Sequence, residues 1–523
     1  MNATENKQPN LIEQEAQQTS YVNRLACATL EGVQARVVEV EATLTKGLPG
    51  FTVVGLASSD IQESKERVKS ALQINDFTFP PLRITINLSP SDLAKQGTQF
   101  DLSLALLIAL HETELAYDDV FVFGELGLDG RIKNTSQLFP LVLSLKEQGL
   151  ISRAVVPASA MEHLKHIHGI AFYPVETLQE AIALFQGGDF HAQETRFSIE
   201  AEYTDIGDER YYFVREYPED FRDVKGQRVA KRAALIAAAG MHNFFMEGNP
   251  GCGKSMIAQR LPHILPPLNE KEMLSIAKHQ FLNAQTPDFT PKRPFRAPHH
   301  TATSASIFGG GSNKARIGEV ALAHHGLLFF DELPHFSKQI LEALREPLQD
   351  GKVHIARVNA KVEYDADVMF VAAQNPCPCG NALSKRKQCR CSEREIQRYR
   401  NKLSDPFLDR IDLFVVMQEI QSDDVGDVDS ATMHEAVLRA FAAQKRRGQK
   451  RLNGKLSQEE IERYCVMDEH AQAVLEKAAI NFALSHRAIA SIKKVARTIA
   501  DIEGHKTITR ADMLEALSYR RRT

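Results

Sequence analysis

Residues 248–255 read Gly-Asn-Pro-Gly-Cys-Gly-Lys-Ser, and residues 327–332 read Leu-Leu-Phe-Phe-Asp-Glu. The octet fits GxxxxGK[ST], a pattern in which backbone N–H groups cradle a phosphate chain. Gly248, Gly251 and Gly253 permit the tight path. Asn249, Pro250 and Cys252 fill the turn, and Met256 begins the helical stretch behind it. Lys254 is placed to reach the β- and γ-phosphates, and the Ser255 hydroxyl to bind Mg²⁺. In the second run an apolar strand delivers Asp331 to the Mg²⁺ shell and Glu332 to the attacking water. A Gly-rich turn and an ordinary strand end are the plainer readings of each run alone. Together, with a short strand before the octet and a helix after it, they point to nucleoside triphosphate binding and hydrolysis.

A second constellation follows. Cys377-Pro-Cys379 is separated by nine residues from Cys389-Arg-Cys391. Thiols this close, with Gly380 allowing a turn, can converge on one tetrahedral ion. Zn²⁺ with four thiolates leaves no open position for water, so such a site would be structural. CxC spacing is less diagnostic than CxxC, and unmetallated thiols are the alternative. Around the cysteines stand Lys385, Arg386, Lys387, Arg390, Arg394, Arg398, Arg400 and Lys402. They form the best nucleic-acid signal in the chain, one that would weaken with salt. The alternative is a solvated face, or a surface pairing with acidic patches of another subunit. Lys445-Arg446-Arg447 with Lys450-Arg451 and Lys455, and Arg520-Arg521-Arg522, are lesser clusters of the same kind.

These groups need elements to hold them. A length of 523 residues suggests roughly two to four domains. The 43% hydrophobic content is ordinary for a globular chain. A net charge of −4 excludes a globally basic DNA binder, so any such charge is local. No apolar run reaches the ~18 residues of a membrane span, and none resembles a signal peptide. Seven cysteines, four of them clustered, suit a reducing compartment and predict a cytoplasmic protein. Residues 1–20 are polar and read as a disordered tail. Residues 21–188 alternate strand and helix patterns in an α+β domain, and 189–212 read as a linker. An α/β domain spans 213–423, carrying the octet and a Cys-rich basic insert at 376–402. Residues 424–523 turn helical. Within the α/β domain the strand 368–373 ends in Gln374-Asn375. A polar residue there can orient the lytic water, whereas a turn Asn facing solvent is the alternative. Residues 352–364 alternate as a hairpin.

FRAPHHTATSASIFGGG (295–311), IGEVALAHHGLLFFDELPHF (317–336), LREPLQDG (344–351) and VAAQNPCPCG (371–380) carry a family likeness. Over residues 21–502 the chain resembles the magnesium-chelatase-like AAA+ ATPases called YifB or ComM. It is similar also to the ATPase subunit of magnesium chelatase and, more distantly, to minichromosome maintenance helicases. The resemblance implies a P-loop AAA+ α/β core with a C-terminal helical lid, using ATP and Mg²⁺ in a homo-oligomeric, hexameric ring. For ComM-type members it implies a DNA helicase that drives branch migration of recombination intermediates in natural transformation. It places Gly226 and Gln227, before the helix 228–239, against the adenine. Arg410 becomes an arginine finger reaching a neighbour's site, and Arg487 a second sensor touching the γ-phosphate. Both are otherwise ordinary surface charges. In helicase relatives a hairpin like 352–364 points into the pore, which makes Arg357 and Lys361 candidate DNA contacts beside Lys385, Arg386, Lys387 and Arg390.

Residues 21–188 look like the proteolytic domain of Lon proteases, which use a Ser-Lys dyad. Gln99 falls on the Ser position and Phe139 on the Lys position, and neither can do that chemistry. Peptidase activity is therefore not expected, and Lys95 with Thr98 is a weak case for a relocated dyad. The helix residues Lys65, Arg67 and Lys69 could face DNA, although a solvated face is the plainer reading. The leading function is an ATP-driven motor on single-stranded or branched DNA. The alternative is a chelatase-like ATPase that remodels a protein partner without DNA.

Overall fold

The computed structural model describes residues 23–113, 120–188, 191–310, 316–356, 361–421 and 423–521. The expected tail at 1–20 and Arg357 lie outside them, as does the side chain of Lys361. The chain forms two compact units that part between Thr195 and Arg196.

In the first unit an eight-stranded sheet runs, in spatial order, Gln193–Glu194, Ala171–Val175, Arg153–Pro157, Phe121–Val122, Arg24–Glu31, Gln34–Thr45, Arg83–Ser89 and Gly50–Val54. The period-two rule is visible in Arg83–Ser89, where Ile84, Ile86 and Leu88 are fully buried and their neighbours are not. The helix Asp101–Ala109 (DLSLALLIA) is apolar nearly all round and accordingly buried. At its start Asp101 is fully buried. It accepts from Arg67 Nε at 2.8 Å, from the Leu126 N–H at 3.2 Å and, closely, from the Ser64 hydroxyl. Arg67 is thus committed to a buried carboxylate and does not belong to a DNA-facing helix side.

The second unit departs from the expected linker. Glu202–Ile206 and Glu209–Phe213 pair as an antiparallel hairpin that Leu268–Asn269 extends. Tyr211, Tyr212 and Phe213 are buried there, and their packing outweighs the polar composition of the stretch. Beyond the hairpin a parallel sheet is ordered Phe295–Arg296, Leu327–Phe330, Met369–Gln374, Phe244–Glu247, Leu413–Val416. Helices cover such a sheet on both faces, so its strands read as unbroken apolar runs. The strand Met369–Gln374, which Asn375 follows, lies between the strand before the Gly-rich octet and the strand before Asp331. All three therefore open onto one edge, where doubly wound sheets bind ligands. The helices Ser430–Arg446, Gln458–Tyr464, Glu469–Asn481, His486–Glu503 and Arg510–Ser518 form the lid. Polar pairs fix it to the core. Arg232 reaches Glu503 at 2.8 Å and Glu515 at 2.9 Å. His242 meets Thr498 at 2.7 Å, and Ser491 donates to Asp412 at 2.6 Å.

Candidate nucleotide site and cysteine cluster

Gly251 (φ 80°) and Gly253 (φ 96°) take left-handed backbone that disfavours other residues, and the helix Lys254–Arg260 starts directly behind them. The buried Lys254 ammonium donates to the Gly248 carbonyl at 2.6 Å, the Asn249 carbonyl at 3.0 Å and Asn375 Oδ1 at 3.1 Å. Burial pushes its pKa below the ordinary lysine value, against the pull of Cys252 and of the Asp331, Glu332 and Glu247 carboxylates. Ser255 Oγ donates to Asp331 Oδ2 at 2.8 Å, so the two expected Mg²⁺ ligands are neighbours. Hard oxygen donors of this kind, completed by phosphate oxygens and water, suit Mg²⁺. Glu332 is exposed and takes φ 51°, its N–H held by Asp331 Oδ1 at 2.9 Å. A left-handed non-glycine residue beside a phosphate-binding turn is the kind of local strain found at working sites.

Gly226 (φ 61°) and Gln227 (φ 57°) turn the chain into the helix Arg228–Gly240. The Gln227 side chain donates to the Gln418 carbonyl at 2.6 Å and accepts the Gln418 N–H at 3.3 Å. These residues line a cleft of ≈ 480 Å³ together with Val229, Val416 and Val425. The three valines are 60%, 61% and 66% exposed, an unusual concentration of apolar side chains on a surface. They add apolar surface to a cleft whose other lining residues are mostly polar or charged. The sequence reading did not find them. Their common signal is a bulky apolar residue at an otherwise polar position, visible only once residues 229, 416 and 425 are brought together.

Arg410 and Arg487 converge on each other. Their guanidinium groups share Gln349 Oε1, at 2.7 and 2.9 Å. Arg410 also donates to the Arg345 carbonyl at 2.9 Å and the Pro406 carbonyl at 2.5 Å. Burial, then the neighbouring Arg487 and Arg345 charges, lowers its pKa. With Arg451, Lys455 and Lys494 the pair lines a cavity of ≈ 720 Å³. The Arg410 carbonyl accepts from Asn243, which stands at the start of the strand Phe244–Glu247, whereas Gly248 follows its end. Arg487 therefore sits at the opposite end of the sheet from Lys254 of its own chain. The physical reason lies in the lid, whose helix His486–Glu503 is tied to Asp412 and His242 at those strand starts.

Cys377, Cys379, Cys389 and Cys391 bring their sulfurs within 4.8 Å of one another. Cys377 and Cys379 are 3.4 Å apart, and each lies 3.6 Å from Cys389. A disulfide would need about 2.05 Å. A tetrahedron of Zn–S bonds of about 2.3 Å places its sulfurs about 3.8 Å apart. The donor set and spacing thus fit one Zn²⁺. Lys385, Arg386, Lys387, Arg390, Arg394 and Arg398 are exposed around it. The Arg386 guanidinium donates to Gln421 Oε1 at 3.3 Å, and its backbone N–H to Ser384 Oγ at 3.1 Å. The lesser clusters are partly consumed. Lys445 lies over the Tyr211 and Phe441 rings, and Arg521 reaches Asp405 at 2.9 Å.

In the first unit Gln99 is buried and donates to the Ala28 carbonyl at 3.1 Å and the Gln96 carbonyl at 2.9 Å. Phe139 is buried in the helix Leu138–Glu147. Lys95 donates to the Pro90 carbonyl and Thr98 to Glu125 rather than to each other, so they form no dyad.

Residues 220–425 match the family described as magnesium chelatase, subunit ChlI. Residues 40–160 match subunit ChlI of Mg-chelatase, and 427–520 match the subunit's C-terminal family. The chain is 37% identical over 499 residues to the competence protein ComM of Haemophilus influenzae, covering 94% of this chain and 95% of that one. It is 37% identical over 505 residues to YifB of Salmonella typhimurium, with the same coverage. Against the uncharacterized protein Rv2897c of Mycobacterium tuberculosis it is 34% identical over 512 residues, covering 95% of this chain and 98% of that one.

Proposed function

Because the chain belongs to the magnesium-chelatase-like AAA+ family of ComM and YifB, we propose that this ComM-type ATPase is a DNA motor. In this reading it forms a hexameric ring in the cytoplasm and acts as a helicase, driving branch migration of recombination intermediates during natural transformation. The observation that carries the reading is the path from Asn375 to the exposed basic run. Asn375 touches Lys254 at 3.1 Å, and the chain runs on from it without helix or strand through the cysteine loop that carries Lys385, Arg386, Lys387 and Arg390. A strand gripped by those side chains pulls on the residue that senses the γ-phosphate.

Within each site Lys254 and the P-loop N–H groups bind the phosphates, and Ser255 and Asp331 hold Mg²⁺. That ion neutralises charge on the β- and γ-phosphates when bound. Asn375 orients the water, and Glu332 takes its proton as the bond to the γ-phosphorus forms. Arg410 and Arg487, facing away from their own P-loop, act on the neighbour's nucleotide as a pair. The second reading is a chelatase-like remodeller of a protein partner that works without DNA.

ATP hydrolysis, measured with and without single-stranded, duplex and four-way-junction DNA at two salt concentrations, separates the two. Salt-sensitive stimulation lost in Glu332→Gln supports the motor. Turnover indifferent to every DNA supports the remodeller.

A further inference from the structure

The cysteine loop does more than follow the sensor strand. From Cys377 to Cys391 it forms neither helix nor strand, so its shape is not fixed by a backbone ladder. Yet it braces the P-loop. Gly380 (φ 80°) brings its backbone so close that an added Cβ would lie 2.7 Å from Pro250 Cγ and Cδ. Glu419 then clamps the two segments together. It accepts from Asn249 of the P-loop at 3.1 Å, and from the Ser384 hydroxyl at 2.5 Å and the Lys385 N–H at 3.3 Å in the cysteine loop.

The helix leaving the loop, Glu393–Arg400, is started by a capping box between Ser392 and Glu395. It returns to the same site. Arg400 lies 3.5 Å from Glu247, the residue before Gly248. The buried Tyr399 ring stands 6.2 Å from His335, three residues after Glu332. The P-loop is thus backed on one side by an irregular segment that carries four converging thiols. Ordering an irregular loop costs roughly 1–2 kcal/mol per residue in backbone entropy. Metal binding to a site that the unfolded loop lacks supplies free energy of ordering directly.

We propose that a single Zn²⁺ held by Cys377, Cys379, Cys389 and Cys391 sets the shape of this brace, so that metal loading controls nucleotide affinity at the P-loop. The proposal rests on the ATP-binding reading above and adds a regulator to that same site. It makes the cysteines and Glu419 positioning residues, none of which touches the reacting atoms.

The test uses the full-length chain. Zinc content is measured by atomic absorption, and affinity by the fluorescence of an ATP analogue in the wild type, Cys389→Ser with Cys391→Ser, Glu419→Gln and Lys254→Ala. The wild type should carry stoichiometric zinc. The double cysteine variant should lose zinc and, with its far-UV circular dichroism retained, bind nucleotide about 5–150-fold more weakly, the usual range of coupling between two sites. Glu419→Gln should keep its zinc and still lose affinity. A wild type that is metal-free yet binds nucleotide overturns the proposal, as does a zinc-free variant that binds like the wild type. If the double variant unfolds, Glu419→Gln decides. Full zinc with unchanged affinity in that variant overturns the brace. A wild type with full zinc that binds the analogue no better than Lys254→Ala refutes the ATP-binding reading itself, and its metal content tells the two failures apart.

Discussion

If Arg410 serves the neighbouring site, Arg410→Ala and Lys254→Ala must complement each other. The strand Phe244–Glu247 separates the two positions, and its four residues span about 13 Å. Removing Arg410 leaves two backbone carbonyls and Gln349 short of a donor at a partly exposed place. That should cost about 1–2 kcal/mol of stability. An arginine finger contributes about 10³–10⁵ in rate, or about 4–7 kcal/mol of barrier. The catalytic loss should therefore far exceed the structural one, with nucleotide binding nearly intact. Each variant alone should be inactive in an ATPase assay. Mixed in equal amounts and allowed to exchange subunits, they should regain activity. Random mixing puts an intact P-loop beside an intact Arg410 at about a quarter of the interfaces of a closed ring. Arg487→Ala should complement Lys254→Ala in the same way, and should not complement Arg410→Ala, because both lesions fall on one face. Mixtures that stay as inactive as their components, in rings shown to exchange, would refute the trans assignment.

Further perturbations follow from the same contacts. Glu332→Gln should bind ATP like the wild type and turn it over about 10²–10⁴-fold more slowly, read by single-turnover kinetics. Arg67→Ala strips the buried Asp101 of its counter-charge and should cost about 3–5 kcal/mol in denaturant unfolding of the first unit. Lys65→Ala should stay within about 0.5 kcal/mol. Burial, with Arg215 nearby, lowers the His434 pKa from 6.5 to about 4. The unfolded state takes up this proton first, so stability is full above pH 6.5 and falls as pH drops towards 4, by about 3 kcal/mol in all. His434→Gln should flatten that slope in chemical denaturation.

What could be read from the chain beforehand was whatever is encoded locally. The octet at 248–255, the apolar run ending in Asp331-Glu332 and the strand before Asn375 are each recognisable within a few residues, and the structure brings them together; parallel strands announce themselves as apolar runs. The cysteines were legible as a cluster for the same reason. The pairing of Arg410 with Arg487 was not, because it depends on how the lid helices dock on Asp412 and His242. Val229, Val416 and Val425 come from three distant segments. The hairpin 202–213 was hidden because charged residues interrupt its strands, and only its packing, which buries the consecutive Tyr211, Tyr212 and Phe213 on both faces, reveals it.

Glu332 holds a backbone conformation that glycine would accept freely. Such a departure costs about 1–3 kcal/mol. If Glu332 is the base proposed above, the fold would thus gain by losing this side chain while turnover would fall. A library selected for thermostability alone should drift to Gly or Asn at 332, and one selected for turnover should refuse both. That single position separates what the protein requires to stand from what it requires to work.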